Sequence, residues 1–280
     1  MSSLKLYNEV TAQSSKSTTL LYSSSFSSAI GLLDKSLHQS IYDIYGFVRF
    51  ADEIVDTFHE YDKATLLATF KADTYAALDN GISLNPILHR FQLTYNQFNI
   101  DRALLDAFLY SMEMDLSQQS HDQASYNQYI FGSAEVVGLM CLKIFCNGND
   151  AQYEALKPAA QSLGAAFQKV NFLRDIKADF VGMERMYFPN CDFSNFSLSD
   201  KQQIEADIQA DFDAALDGIK ALPFPCSFVV YVAFKYYYAL FNKIKQTNHT
   251  ALLSTRIRIP DYAKLFIVFK AKIRASLNLL

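Results

Sequence analysis

Few residues in this chain are able to stop a helix. Nine glycines and six prolines are spread over 280 residues, and strand-like alternation is weak. From Ser27 onward, apolar positions recur at helical spacing. That pattern favours long helices over the many tight turns of a β protein. It predicts helices near 36–58, 63–79, 84–95, 101–117, 123–147, 150–180, 200–220, 226–246 and 260–278. Breaks such as DNGISLNP (79–86) and CNGND (146–150) separate them, and MYFPNCDFSNFSLSD (186–200) reads as a long loop. Asp101, Asp150 and Ser199 stand where N-caps are expected. Residues 1–20, rich in Ser and Thr, are expected to be flexible or partly ordered. The whole, 1–280, reads as a single all-α domain, long enough for a sizeable core.

Composition narrows the function. A net charge of −4 gives no general attraction to nucleic acid. Basic residues do gather near the C-terminus (Arg256, Arg258, Lys264, Lys270, Lys272, Arg274), as a local anion site or membrane-surface patch requires. Cys141, Cys146, Cys191 and Cys226 lack zinc-site spacing and read as buried thiols in a reducing compartment. The N-terminal segment has no apolar core of the signal-peptide kind. The run FVVYVAF from Phe228 stops at Lys235, too short to span a membrane. A cytoplasmic protein is expected, in peripheral contact with the inner face of a membrane. No GxGxxG or GxxxxGK[ST] motif supports a nucleotide site.

Two apolar segments carry unexpected carboxylates. In FVRFADEIVDTF (47–58), Asp52 and Asp56 lie at i, i+4 on one helix face, with Arg49 one turn before. Like charges at that spacing repel, so something outside the helix should neutralise them. In FQKVNFLRDIKADFVGMERMYFP (167–189), Asn171, Asp175 and Asp179 form a second stripe, accompanied by Arg174. Solvated surface charge or an intrahelical salt bridge would explain one such pair. Two pairs within aromatic sequence argue for a site. Carboxylate and amide oxygens suit Mg²⁺ or Mn²⁺, whose remaining ligands are commonly water and phosphate. Facing stripes would hold ions around a diphosphate, and Arg or Lys would bind its other oxygens. A paired-carboxylate acid/base site would leave the Asn and Arg spacing unexplained.

The ordered motifs resemble the squalene and phytoene synthases, which join two prenyl diphosphates head to head. The resemblance runs from about Ser23 to Lys264. SSSF (23–26) is similar to the family's Ser-rich start, and SIYDIYGFVRFADEIVD (40–56) to the helix bearing the first DxxxD. YIFGSAEVVGLM (129–140) resembles the channel-lining segment. GAAFQKVNFLRDIKAD (164–179) resembles the second motif, and Arg185, Tyr187 and Pro189 match the R-x-Y-x-P after it.

The resemblance implies a single-domain isoprenoid-synthase helical bundle around a central cavity. Asp52, Asp56, Asn171, Asp175 and Asp179 would hold Mg²⁺, and Ser23, Ser25, Arg49, Gln168, Arg174 and Arg256 would bind diphosphate. Tyr45, Tyr129 and Tyr187 would line the reaction zone, with Tyr45 and Tyr187 counted with the four aspartates as catalytic. Phe26, Tyr129, Ala134, Val137, Gly138 and Gly164 would line the cavity, although close helix packing explains the small residues equally well.

Three positions depart from the family pattern: His38 and Glu113 where Arg is common, and Ala178 beside the last acid. The other histidines (His59, His89, His121, His249) read as surface or structural. The segment FIVF (266–269) is too short for the C-terminal anchor of eukaryotic squalene synthases. The best match is a bacterial-type phytoene synthase joining two geranylgeranyl diphosphates through a cyclopropyl diphosphate in carotenoid biosynthesis. The alternative is a squalene or dehydrosqualene synthase using farnesyl diphosphate, with NADPH required only for squalene. Other readings are a terpene cyclase or head-to-tail prenyltransferase, and a non-catalytic relative acting as a scaffold. No obligate protein partner is inferred.

Overall fold

A computed structural model describes residues 2–118, 120–177, 186–189, 191, 195–260, 267–268 and 270–271. Among them the chain forms twelve α-helices and no strand beyond one isolated bridge, Ser120 to Met186. The helices are α1 (Ser3–Tyr22), α2 (Ser24–Ile30), α3 (Lys35–Asp56), α4 (Lys63–Asn80), α5 (Pro86–Gln97), α6 (Arg102–Ser117) and α7 (Gln123–Ile130). A π-helical turn, Phe131–Glu135, leads into α8 (Val136–Cys146). There follow α9 (Asp150–Ile176), α10 (Leu198–Ala221), α11 (Cys226–Gln246) and α12 (His249–Leu252). Most of the predicted segment 260–278, with residues 178–180 at the end of 150–180, lies outside the described residues.

Two helices organise the bundle. Helix α3 packs against α1, α4, α5, α6 and α8, and α9 against α8, α10, α11 and the π turn. Helix α8 touches both and joins the two groups. On α3, Ile44, Phe47, Ala51 and Val55 fall on one face and are fully buried. Phe47 stacks on Phe91 with ring centroids 3.8 Å apart and touches Phe70 and Phe108. Beyond α9, Phe212 is surrounded by Phe234, Tyr238 and Phe241 in edge-on and tilted contacts.

Helix ends follow local chemistry, with two shifts from expectation. Asp101 stands at the N-cap of α6, although its side chain makes no cap hydrogen bond. The cap of α9 is Asn149 rather than Asp150, because the Asn149 side chain accepts from the Gln152 N–H. The cap of α10 is Ser197 rather than Ser199, where Ser197 and Asp200 form a reciprocal capping box.

The N-terminal segment differs from expectation. Residues Ser3–Tyr22 form a 20-residue helix packed against α3 and α5. Its buried stripe is Thr11, Ser15, Thr18 and Thr19, while Leu6, Val10, Leu20 and Leu21 are exposed on the opposite face. Thr18 and Thr19 donate to carbonyls four residues back, at 2.9 and 3.0 Å, which removes the cost of burying their hydroxyls. Tyr7 donates to the Ser83 carbonyl, and Asn8 Oδ1 lies 2.8 Å from the buried His89 ring. A helix with its polar stripe inward does not register in an apolar-periodicity scan.

Candidate active site

A cavity of about 780 Å³ lies between α3, α8, α9 and α11. Its wall includes Ser23, Phe26, Tyr45, Arg49, Asp52, Asp56, Tyr129, Ala134, Val137, Gly138, Gly164, Gln168, Asn171, Arg174, Asp175, Tyr187 and Arg256. The fold therefore brings the two acidic segments to one space, with α3 and α9 both contributing to its wall. Asp179 and Ala178 lie outside the described residues, as does the Ser25 side chain.

Asp52 is half-buried and feels the carboxylates of Asp56 and Asp115. Burial first, and then this repulsion, pushes its carboxyl up to about 7, although Arg49 opposes the shift. Arg49 itself ion-pairs with Glu53 one turn on, and its guanidinium lies 4.5 Å from the centroid of the Tyr22 ring. The sequence places a neutralising cation one turn before Asp52, yet that cation is shared with Glu53. Ser23 caps α2 and hydrogen-bonds Tyr45, whose ring stacks on Phe26 at 5.1 Å.

On α9, Asp175 is held by two guanidinium groups. Arg174 Nε lies 3.1 Å from both carboxylate oxygens, and Arg256 Nε is 2.7 Å from Oδ1. Asn171 Nδ2 is 3.5 Å from Gln168 Oε1, whereas Asn171 Oδ1 is buried without a hydrogen-bond partner among the described residues. An orphaned amide oxygen in a cavity wall is the kind of group a hard cation satisfies. The donor set fits Mg²⁺ or Mn²⁺ in the same sense: Asp52, Asp56, Asn171 and Asp175 offer only oxygen. Among the described residues no three His, Cys, Asp or Glu side chains form a ready metal cage. Ligand oxygens must complete the coordination, as is common for Mg²⁺ bound with phosphate.

Deeper in, the wall becomes apolar. Val137, Cys141 and Phe145 from α8 face Ala159, Ala160 and Leu163 from α9, with Ala215 and Gly218 from α10. The small residues divide between two uses. Gly138 and Gly164 line the cavity and also permit close helix contact: a Cβ on Gly164 would lie 2.9 Å from the Ala134 carbonyl oxygen. Gly132 is tighter still, its hypothetical Cβ being 2.4 Å from the Ala107 oxygen. Cys141, Cys146 and Cys226 are free thiols, and Cys141 faces the cavity.

Two departures from the family pattern point away from this space. His38 Nε2 is 3.0 Å from the Leu33 carbonyl, and Glu113 pairs with Lys71 of α4 at 2.6 Å. The sequence reading passed over Asp115, two residues after Glu113, and Tyr237; both line the cavity. A signal for Asp115 was present, since Phe108, Met112 and Asp115 share one face of α6 and the first two are buried. Of the histidines read as surface or structural, His121 is structural, with its ring against Tyr129 and Tyr187 at 5.2 and 5.9 Å.

Similarity to known proteins agrees with this geometry. A presqualene diphosphate synthase of Rhodopseudomonas palustris is 30% identical over 60% of this chain and 58% of its own length. The 4,4'-diapophytoene synthase of Staphylococcus haemolyticus is 26% identical over 68% of this chain and 66% of that protein. The phytoene synthase of Arthrospira platensis is 23% identical over 98% of this chain and 93% of that protein. In fold, the chain superimposes on a ligand-bound dehydrosqualene synthase with a TM-score of 0.80, at 18% identity, covering 96% of this chain and 98% of that one. A profile of the squalene/phytoene synthases matches residues 21–263. That family comprises prenyltransferases of head-to-head condensation that generally use a divalent metal. The chain belongs to the squalene/phytoene synthase family.

Proposed function

We propose that this protein condenses two geranylgeranyl diphosphates head to head, with Mg²⁺, giving phytoene through a cyclopropyl diphosphate in carotenoid biosynthesis. The observation carrying the reading is a single cavity with carboxylates and guanidinium groups at one part and small apolar residues at another. Ala159, Ala160, Ala215, Gly218 and Ala233 add little bulk to the wall, as a long prenyl chain requires. The likeness to a phytoene synthase over nearly the full length of both chains also supports the longer substrate.

Asp52, Asp56, Asn171 and Asp175, with Asp179, would hold the metal ions, which when bound supply positive charge to the departing diphosphate. Arg49, Arg174, Arg256 and Gln168 would orient the diphosphate oxygens, together with Ser23 and Ser25. Phe26, Tyr45, Phe167 and Tyr237 exclude water from the carbocation that ionisation leaves behind. Their ring faces also attract it. The double bond of the second chain supplies the electron pair for the new carbon–carbon bond, and proton loss closes the cyclopropyl diphosphate; departure of the second diphosphate with its C–O electron pair, rearrangement and a second proton loss would then give the hydrocarbon.

Farnesyl diphosphate is the second reading, favoured by likeness to a diapophytoene synthase and to a dehydrosqualene synthase fold. Incubation with each diphosphate and Mg²⁺, with and without NADPH, separates the two by product mass. A C40 hydrocarbon is expected, independent of NADPH. A C30 product alone would replace the first reading with the second, and no hydrocarbon from either substrate would overturn both.

The same reading puts the cavity mouth in peripheral contact with a membrane, since substrate tails and product are lipids. Exposed Leu20, Leu21 and Tyr22 at the end of α1 run directly into Ser23 and Phe26 of the cavity wall. Among the described residues, Gln123–Cys146 is long and apolar enough to cross a membrane, but it lines the cavity and half of it is buried. Its apolarity is explained by the core. Co-sedimentation with liposomes is expected, and Leu20→Glu with Leu21→Glu should reduce it; full retention of the unaltered protein in the supernatant would count against the contact.

A further inference from the structure

Close contacts at three glycines fix how the cavity helices align. A Cβ on Gly138 of α8 would lie 3.2 Å from the Ala160 carbonyl oxygen of α9, and Gly164 of α9 meets Ala134 in the same way. Contacts of 138 with 160 and of 134 with 164 are the register of an antiparallel pair. Gly218 of α10 abuts Ala159, so three helices carry small residues at one level. Continued along α8, the register sets Leu142 level with Leu156, and Phe145 nearly a turn deeper.

Bulk changes along this axis. From Asn171, the wall on α9 runs about 16 Å to Ala160 and about 22 Å to Leu156. Gly138, Ala159, Ala160 and Gly218 line the middle of that path. Beyond them the wall consists of Leu142, Leu156 and Leu222, and Phe145 is its last residue on α8, half-buried against the core. Cys141 and Phe145 lie at i and i+4, on one face and one turn apart.

That spacing matches the substrate. An extended chain advances about 1.2 Å per bond, so an isoprene unit of four backbone carbons adds about 5 Å, close to one helical turn. With a diphosphate head, three units span about 19 Å and four about 24 Å. The levels of Cys141 and Phe145 lie about 21 and 27 Å from that of Asn171. A three-unit chain therefore ends at Cys141, and a fourth unit must pass the thiol to reach the Phe145 ring.

We propose that Cys141 and Phe145 set the prenyl chain length this cavity takes, the small thiol admitting the fourth isoprene unit and the phenyl ring stopping a fifth. The inference rests on the head-to-head condensation proposed above and names the residues that select among its substrates.

The test uses the full chain with Mg²⁺ and the unreactive thiolodiphosphates of C15, C20 and C25 prenyl chains, with affinity read by calorimetry. Cys141→Phe should lower the ratio of C20 to C15 affinity at least about tenfold, the scale on which an apolar pocket discriminates by size. Phe145→Ala should raise the ratio of C25 to C20 affinity by a similar factor. Ratios within one variant cancel a general loss of folded protein, and Cys141→Leu should give a smaller change of the same sign as Cys141→Phe. An unchanged ratio in either Cys141→Phe or Phe145→Ala would overturn the assignment. If wild type forms a C40 hydrocarbon while the ratios stay fixed, only this inference fails. If wild type forms no C40 hydrocarbon but both ratios shift, the length assignment stands and the proposed geranylgeranyl condensation fails.

Discussion

Arg256 and Asp175, 81 residues apart in sequence, meet in an ion pair with Nε 2.7 Å from Oδ1 and Nη2 3.3 Å from Oδ2. Arg174 approaches the same carboxylate from its own helix. A metal ion and these guanidinium groups compete for the same oxygen lone pairs, whereas a diphosphate would attract both cations. Exchange of Arg256 from carboxylate to diphosphate would thus couple metal binding to substrate binding.

Arg256→Ala should separate those two effects. Affinity for inorganic diphosphate in the presence of Mg²⁺ is expected to fall about tenfold, the size of a charge-assisted pair. Affinity for Mn²⁺ alone should rise, because one competitor for Asp175 is gone. Isothermal calorimetry reads both, and a loss of Mn²⁺ affinity would contradict the exchange.

Asp52 predicts an opposition between stability and function. Its carboxyl is pushed up to about 7, so the folded chain holds that proton more tightly than the unfolded chain. This group therefore favours folding below the ordinary carboxylate range, and the benefit is lost as pH rises through about 7. In chelator, Asp52→Asn should therefore melt several degrees above wild type at about pH 8, with the gap closing toward acid pH. The same variant should lose condensation activity. A lower melting temperature at the alkaline end would refute the electrostatic account.

Gly132 lies where α6 meets the π turn, and a methyl group there would overlap the Ala107 carbonyl and the Ser111 side chain. Gly132→Ala should cost about 1–3 kcal/mol, as overpacking of a tight interface does. Denaturant unfolding measures it. A neutral result would mean that α6 and the π turn part easily.

Between α3 and α5, Asp43 is fully buried and receives hydrogen bonds from Arg90, Thr94 and Gln39. Burial pushes its carboxyl up, while Arg90 is the main opposing influence. Arg90→Ala should destabilise the protein by about 3–5 kcal/mol, since it leaves a buried charge without its cation. Thr94→Val removes one hydroxyl donor and should cost less, about 1–3 kcal/mol. Equal costs in urea unfolding would argue that the ion pair is not what chiefly holds this carboxylate.

What was legible in the sequence was local. The i, i+4 spacing puts Asp52 and Asp56 on one face of α3, and Asn171 and Asp175 on one face of α9, whatever surrounds them. Helical periodicity likewise marks α3 to α6 and α9 to α11 within a few residues, and reads 123–147 as one helix where a π turn separates α7 from α8. Helix α1 escaped the same test because its buried stripe is Thr and Ser, whose threonine hydroxyls are satisfied within the helix itself.

The partnerships came from tertiary structure. Sequence places Arg49 beside Asp52, but Glu53 takes up its charge, and Arg256 reaches Asp175 only through the path of the chain after α12. Asp115 looked like one more acid in SMEMDL until packing turned it toward Tyr129 and Tyr187. Spacing along a helix determines which side chains share a face, since the backbone geometry is constant. Which faces meet depends on long-range packing and burial, and that decided how the charges in this cavity are paired.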